Sequence, residues 1–248
     1  MPTLAANITS KHAASLRLHE GETRLMTVTE ALQRRISTRE FRPDPLPESL
    51  VREILDVARW SPSGGNLQPW GVVAVAGAER DRVIALARTA LTAGVDESTE
   101  RPVYPPNLWE PYRTRRFKIG EDMYALLGIP RTDRAARLAR FARNYEMFGA
   151  PVELFFVIDR RMGHGQWAHL GMFMQSVALA AIERGVASCM QESWANVRES
   201  LAKHFRLPPE QMIYCGMALG YADTSAPVNT LRSERAAVEE FASFRGFA

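Results

Sequence analysis

Three features of the sequence predict a single globule of α/β type, with strands and helices interleaved around one core. The chain has 248 residues, 46% of them hydrophobic, enough to bury a core of ordinary size. Four short apolar runs of strand length, 70–76, 152–158, 186–190 and 212–219, are separated by stretches with helical periodicity. No internal repeat or low-complexity tract interrupts that alternation.

Residues 1–25 are polar and lack a clear period, so they are expected to form an N-terminal extension outside a domain spanning 26–248. Thr27 and Glu30 have the spacing of a capping box and open a helix that runs to about Arg34. A polar, β-branched link follows at 35–41. Beyond Pro43, Pro45 and Pro47, the helical spacing of Leu50, Ile54, Val57 and Ala58 predicts a second helix. It stops at SPSGGNLQPW, 61–70, a stretch that gives up side-chain packing for backbone freedom. The run WGVVAVA reads as a strand, and Val83, Leu86, Ala87, Ala90 and Leu91 mark an amphipathic helix after it.

Residues 95–116 hold four prolines, three aromatics and many charges without a period, and read as a long irregular excursion of the lid type. Helical patterns resume at 117–127 and 134–148, before the strand at 152–158. The run WAHLGMFMQSVALAAIE, 167–183, is almost continuously apolar or small, which predicts a helix buried on most sides and stopped near Gly185. A strand at 186–190, a helix at 197–205 and a strand at 212–219 complete the core.

The formal charge of +3 comes from basic residues scattered along the chain, and the densest run, 113–118, is broken by Thr114 and Phe117. Nucleic acid, which asks for a concentrated patch, is not expected as a partner. Lysine occurs only at Lys11, Lys118 and Lys203, so the positive charge is mostly Arg, whose forks suit phosphate. Cys189 and Cys215 sit in apolar runs and are expected to be buried, reduced thiols. With no apolar segment of signal-peptide or membrane-span length, a cytoplasmic protein that does not enter the membrane is expected. The sequence lacks G-x-S-x-G, a Walker loop, H-E-x-x-H and G-x-G-x-x-G, and its five histidines show no metal-ligand spacing.

What remains is an anion-binding set and a backbone-rich turn. Arg35, Ser37 and Arg39 alternate, so an extended segment projects two guanidinium forks and a hydroxyl to one side. That grouping suits a terminal phosphate; it equally suits a solvated basic link. Ser63, Gly64 and Gly65 expose backbone N–H and C=O groups, while Asn66 and Gln68 add amides. Such a turn can lie against a flat polar ring, or simply lead a helix into a strand.

Three ordered stretches, 34–47 (RRISTREFRPDPLP with its two clustered arginines), 61–70, and 216–235 (GMALGY, Pro227-Val228-Asn229, Arg232, Arg235), together with Phe148-Gly149-Ala150-Pro151-Val152 and the Gly171 to Gln175 spacing, resemble the FMN-dependent nitroreductase family; overall similarity, above all the proline-rich excursion at Tyr104 and the Arg-rich helices after it, looks closest to its nitrobenzoate-reducing members. The resemblance spans nearly everything from Thr27 onward. It implies an α+β, nitroreductase-like fold, a central mostly antiparallel sheet surrounded by helices, in an intertwined homodimer. It assigns the FMN phosphate to Arg35, Ser37 and Arg39, with Arg232 and Arg235 returning from the C-terminal segment. Pro62, Ser63, Gly64 and Asn66 would lie along the isoalloxazine and ribityl chain, contributed by the other subunit. Gln191, Glu192 and Ser193 match the place where family members aim a backbone N–H at flavin N5, although several members have Gly where Ser193 stands.

The resemblance implies ping-pong reduction of a small planar aromatic acceptor, a nitroaromatic or a quinone, at the expense of NAD(P)H. The flavin carries the chemistry, so no catalytic side chain and no metal is expected. Tyr104, Trp109, Tyr112 and Phe117 are candidate pocket walls or, equally, packing or dimer residues; Arg113, Arg115 or Arg116 would meet a substrate carboxylate. The same fold also houses flavin destructases that make dimethylbenzimidazole, and reductive dehalogenases, but Asn66 in the turn favours the nitroreductase group. From another class, a flavin-free basic binding or regulatory protein would purify colourless.

Overall fold

A computed structural model describes residues 26–97 and 102–247, so the expected extension 1–25 lies outside the described residues. Four strands form one antiparallel sheet: β1 (Gly71–Ala76), β2 (Val152–Asp159), β3 (Ala187–Gln191) and β4 (Gln211–Gly220), in the order β1-β2-β4-β3. The α+β fold is therefore the observed one. Alternation of strand and helix in the chain, read as α/β, carries no information about strand direction.

Helices cover both faces of the sheet. Leu154, Phe156 and Ile158 of β2 pack with Ile54 of α2 (Glu48–Ala58) and with Leu170, Phe173 and Val177 of α6 (His164–Glu183). Phe155 and Val157 face the other way, against Val83 and Ala87 of α3 (Gly77–Thr92), Leu201 of α7 (Arg198–His204), and Trp194. Burial on both faces is why β2 reads as a continuous apolar run rather than an alternating one. A bulge between Phe156 and Val157 leaves Tyr214 unpaired on β4.

The expected capping box is present on α1 (Val28–Arg34): Thr27 Oγ1 accepts the Glu30 N–H at 3.2 Å and Glu30 Oε2 accepts the Thr27 N–H at 2.8 Å. Three expectations need correction. The irregular excursion ends earlier, because α4 (Tyr112–Leu126) starts one turn before Phe117, with Glu110 accepting the Thr114 N–H and pairing with Arg113 at its entrance. The helix expected over 134–148 stops as α5 (Arg134–Ala142) and continues as a 3-10 segment, Arg143–Gly149. Tyr145, Met147 and Phe148 are all buried, which one α-helical face does not allow, and Met147 and Phe148 take left-handed backbone to do it. Finally, α6 buries Leu170, Phe173, Met174, Val177 and Ala178, yet leaves a stripe of Gly165, Ala168, Gly171 and Met172 open within one chain.

Both cysteines are free and buried, and burial pushes the Cys189 thiol up to about 11, so it stays protonated. No helix among the described residues is long and apolar enough to cross a membrane. Among them, no group of His, Cys, Asp and Glu is placed to hold a metal ion.

Candidate functional site

The link after α1 is held extended by the sheet edge. Ser37 forms a parallel bridge with Ser188 of β3, and the Thr38 N–H donates to the Ser188 carbonyl at 3.0 Å. Extended backbone turns alternate residues the same way, and Arg35, Ser37 and Arg39 do line one cleft of about 570 Å³. Arg232 and Arg235 enter the same cleft from the C-terminal segment, with Gln175 of α6 and Ile119 of α4 completing its wall.

Among the described residues, four arginines line this cleft and no carboxylate does. Burial lowers the Arg35 pKa, and the charge of Arg235 lowers it further. The Arg35 Nε is buried without a hydrogen-bond partner among the described residues. A buried guanidinium donor left unsatisfied among like charges is costly on its own, and an anion is the chemistry that would relieve it. The donors present fit a phosphate group.

Two residues that the sequence reading left without a role hold this link in place. Asn229 Oδ1 accepts the Arg39 N–H at 2.8 Å, and its Nδ2 donates to the carbonyls of Glu40 and Asp223 at 2.7 and 2.8 Å. It thus staples the 35–39 link to the segment carrying Arg232. From the other side, Arg140 Nη2 donates to the Arg39 carbonyl at 2.7 Å, while Arg140 and Arg143 both pair with Glu40. Asn229 belongs to the Pro227-Val228-Asn229 stretch, a local signal in the sequence, whereas nothing in the spacing of Arg140 separates it from surface arginines.

Asn229→Ala takes the side-chain acceptor from the part-buried Arg39 N–H and leaves the Glu40 and Asp223 carbonyls with only their backbone donors, Asp223 N–H and Ala226 N–H, a loss of about 1–3 kcal/mol. Thermal unfolding of the ligand-free protein should show the lower Tm, and an unchanged Tm would mean that water replaces the amide.

The turn after α2 lies on a different flank of α6. Ser61 Oγ bonds Ser176 Oγ at 2.8 Å, and the Gly64 N–H donates to His169 Nδ1 at 3.4 Å. Ser63 Oγ accepts the Gln68 N–H at 2.9 Å. Gly65, Asn66 and Gln68 are all left-handed, with φ of 59°, 55° and 48°. Two non-glycine residues in that region are held by the closed turn, as at many ligand-facing turns. Pro62, Gly64 and Asn66 are exposed, and none of the turn lines the arginine cleft of its own chain.

Gln191 ends β3, buried, with its Nε2 donating to the Asn144 carbonyl at 2.7 Å. Glu192 is exposed and lines a small cleft with Trp167, Ala195 and Tyr214, and the Ser193 carbonyl accepts the Tyr145 hydroxyl at 3.1 Å. In the excursion, Tyr104, Trp109 and Tyr112 line one apolar hollow with Arg116, whose guanidinium lies 4.1 Å from the Tyr104 ring centre. Phe117 is not part of that hollow; it faces Arg131. Arg113 and Arg115 are paired with Glu110 and Glu240.

The Nitroreductase family model matches residues 32–221. The chain belongs to the nitroreductase family. It is 37% identical over 214 residues to a 4-nitrobenzoate reductase of Pseudomonas putida, covering 86% of this chain and 93% of that protein. A nitrobenzene nitroreductase of Ectopseudomonas oleovorans is 34% identical, with 88% and 96% covered. Among solved structures, the FMN- and NADPH-dependent nitroreductase NfnB of a sphigopyxis strain superposes with a TM-score of 0.86 at 40% identity, over 89% of this chain and 100% of that one. The matched span contains the 35–39 link, the 61–70 turn and 191–193; Arg232 and Arg235 fall after it.

Proposed function

We propose that this member of the family is an FMN-dependent NAD(P)H oxidoreductase reducing nitroaromatic, nitrobenzoate-like or quinone acceptors. The observation that carries the reading is the carboxylate-free cleft with the partnerless Arg35 Nε. Arg35, Ser37, Arg39, Arg232 and Arg235 would hold the cofactor phosphate, and 191–193 would offer backbone donors to the ring edge. Bound there, the flavin would accept hydride from the nicotinamide and return two electrons to the acceptor. The chain's own part is to bind, orient and exclude water, which is why no acid–base pair is needed.

The working unit is a homodimer in which Pro62, Ser63, Gly64 and Asn66 of one subunit complete the arginine cleft of the other. Two features support this. The turn and the cleft lie on different flanks of α6, and the open Gly165, Ala168, Gly171 and Met172 stripe is a surface that allows close helix packing. The hollow of Tyr104, Trp109 and Tyr112 offers flat apolar contact to an aromatic acceptor, and Arg116 is the one arginine of 113, 115 and 116 with no carboxylate partner among the described residues. The destructase and dehalogenase readings are not favoured by relatives that match across most of their length and are named nitroreductases or nitrobenzoate reductase.

A visible spectrum of the purified protein, before and after adding FMN, tests the cofactor: flavin bands are expected, and a protein colourless in both would leave a flavin-free binding protein. With FMN bound, initial rates against NAD(P)H at several nitroaromatic concentrations should give parallel lines, since donor and acceptor occupy one place in turn. Intersecting lines would refute the single-pocket scheme.

A further inference from the structure

Glu153 is the second residue of β2 and is fully buried, the one polar residue between Val152 and Ile158. Among the described residues neither carboxyl oxygen closes a hydrogen bond of good geometry, although the Trp194 indole N–H lies close enough to favour the charged form. The side chain reaches over Gly216 of β4, where the space a Cβ would fill is taken by Glu153 Oε1 and by the indole edge of Trp194. Trp194 is fully buried too, and its Nε1 likewise closes no bond of good geometry among the described residues. The residues just before it add two more such atoms, Gln191 Oε1 and Ser193 Oγ. Unsatisfied buried polar atoms are rare, and here they gather around one turn.

The turn is firmly held everywhere else. Trp194 stacks edge-on against Tyr145 and Phe155, with ring centres 5.4 and 5.1 Å away. Tyr145 donates to the Ser193 carbonyl and accepts from Asn196 Nδ2 at 2.9 Å. Only the side toward Glu153 has polar atoms facing each other across a glycine without closed bonds.

We propose that Glu153 is a positioning residue: its uncharged carboxyl braces the Trp194 indole and so sets the shape of the 191–193 turn that meets the cofactor. The role rests on the proposed placement of the flavin against that turn. Burial drives the carboxyl well above the ordinary glutamate range, opposed by the Trp194 indole N–H and by Arg80 of α3. Arg80 is itself engaged with the Ala150 carbonyl and Asp81. The other titratable groups on this side are the Cys189 and Cys215 thiols and the Tyr145 hydroxyl, all pushed up by burial and so neutral. No cation among the described residues bonds the carboxyl, and the indole N–H alone does not repay the cost of burying its charge.

The sign follows from linkage. A carboxyl raised in the fold above its ordinary 4.5 contributes its stability fully below that pH, and loses it as pH climbs toward the folded value. Glu153→Gln, permanently neutral and of equal shape, should escape this loss.

The test measures Tm without FMN and FMN affinity by fluorescence, from about pH 5 to about pH 10, in both proteins. The wild type should fall in Tm relative to Glu153→Gln as pH rises, and its FMN affinity should drop by about tenfold or more over the same range while the variant stays flat. A Tm gap that does not change with pH overturns the uncharged carboxyl. A Tm gap with matching FMN profiles overturns the positioning role and leaves the cofactor assignment standing. Failure of both proteins to take up FMN at any pH overturns the flavin reading, and the brace with it, whatever the Tm curves show. Should Glu153→Gln not fold, a flat wild-type FMN profile overturns the proposal and a falling one upholds it.

Discussion

Arg35→Ala should weaken FMN binding by about 10- to 100-fold, the worth of a charge-assisted hydrogen bond of roughly 1.5–3 kcal/mol. The size follows from where the side chain sits. Arg35 is half-buried, its Nε is partnerless, and Arg235 repels it across the cleft. An anion would relieve both conditions at once, so removing Arg35 discards a contact already desolvated. The same reasoning gives the ligand-free protein the opposite response. Without an anion the cleft is a set of like charges with no carboxylate, and losing one of them should leave Tm unchanged or raise it. Arg235, exposed and already bonded to Ser233 and neighbouring carbonyls, should cost less when replaced. Titration of FMN at one fixed salt concentration, beside a melting curve of the apoprotein, reads both signs. Equal affinity in Arg35→Ala and the wild type would return the link to an ordinary solvated segment.

Much of this was legible in the sequence where a single local rule governs. The four strands lie within about a residue of the apolar runs, and for the inner pair β2 and β4 the reason is burial on both faces, which asks for a nearly continuous apolar run. The capping box at Thr27 and Glu30 is local chemistry, and so is the shared side of Arg35, Ser37 and Arg39. Long-range features were not legible. Nothing in 134–148 marks where helix yields to left-handed backbone, since the core that demands it is assembled from β1, α3 and Trp194. Asn229 joins residues 190 positions apart, and its role appears only when the C-terminal segment returns to the link. Glu153 in VELFFVID reads as one polar break in a strand; that it lies wholly inside, over a glycine, depends on β4 and Trp194. The open stripe of α6 is apolar or small like its buried sides, so composition could not tell which side the chain itself covers.

The same substitution at two glycines should act with opposite signs. At Gly216 an added methyl would meet Glu153 Oε1 and Trp194 Cδ1 at once, with Trp194 Nε1 at 2.8 Å. Both neighbours are fully buried and neither can swing away, because Trp194 is wedged between Tyr145 and Phe155 and Glu153 is fixed on the central strand. Gly216→Ala should therefore cost about 1–3 kcal/mol by overpacking, a fall in Tm of roughly 3–10 °C for a chain of this size. Gly120 lies inside α4 with helical backbone, and a Cβ there meets nothing within 4 Å. Gly120→Ala should stabilise by about 0.5–1 kcal/mol, since it lowers the entropy of the unfolded chain and adds no contact that must give way. Melting curves of the two variants beside the wild type decide it. If Gly216→Ala melts with the wild type, the turn above β4 has room that the packed carboxyl and indole deny, and the brace assigned to Glu153 loses its geometric basis.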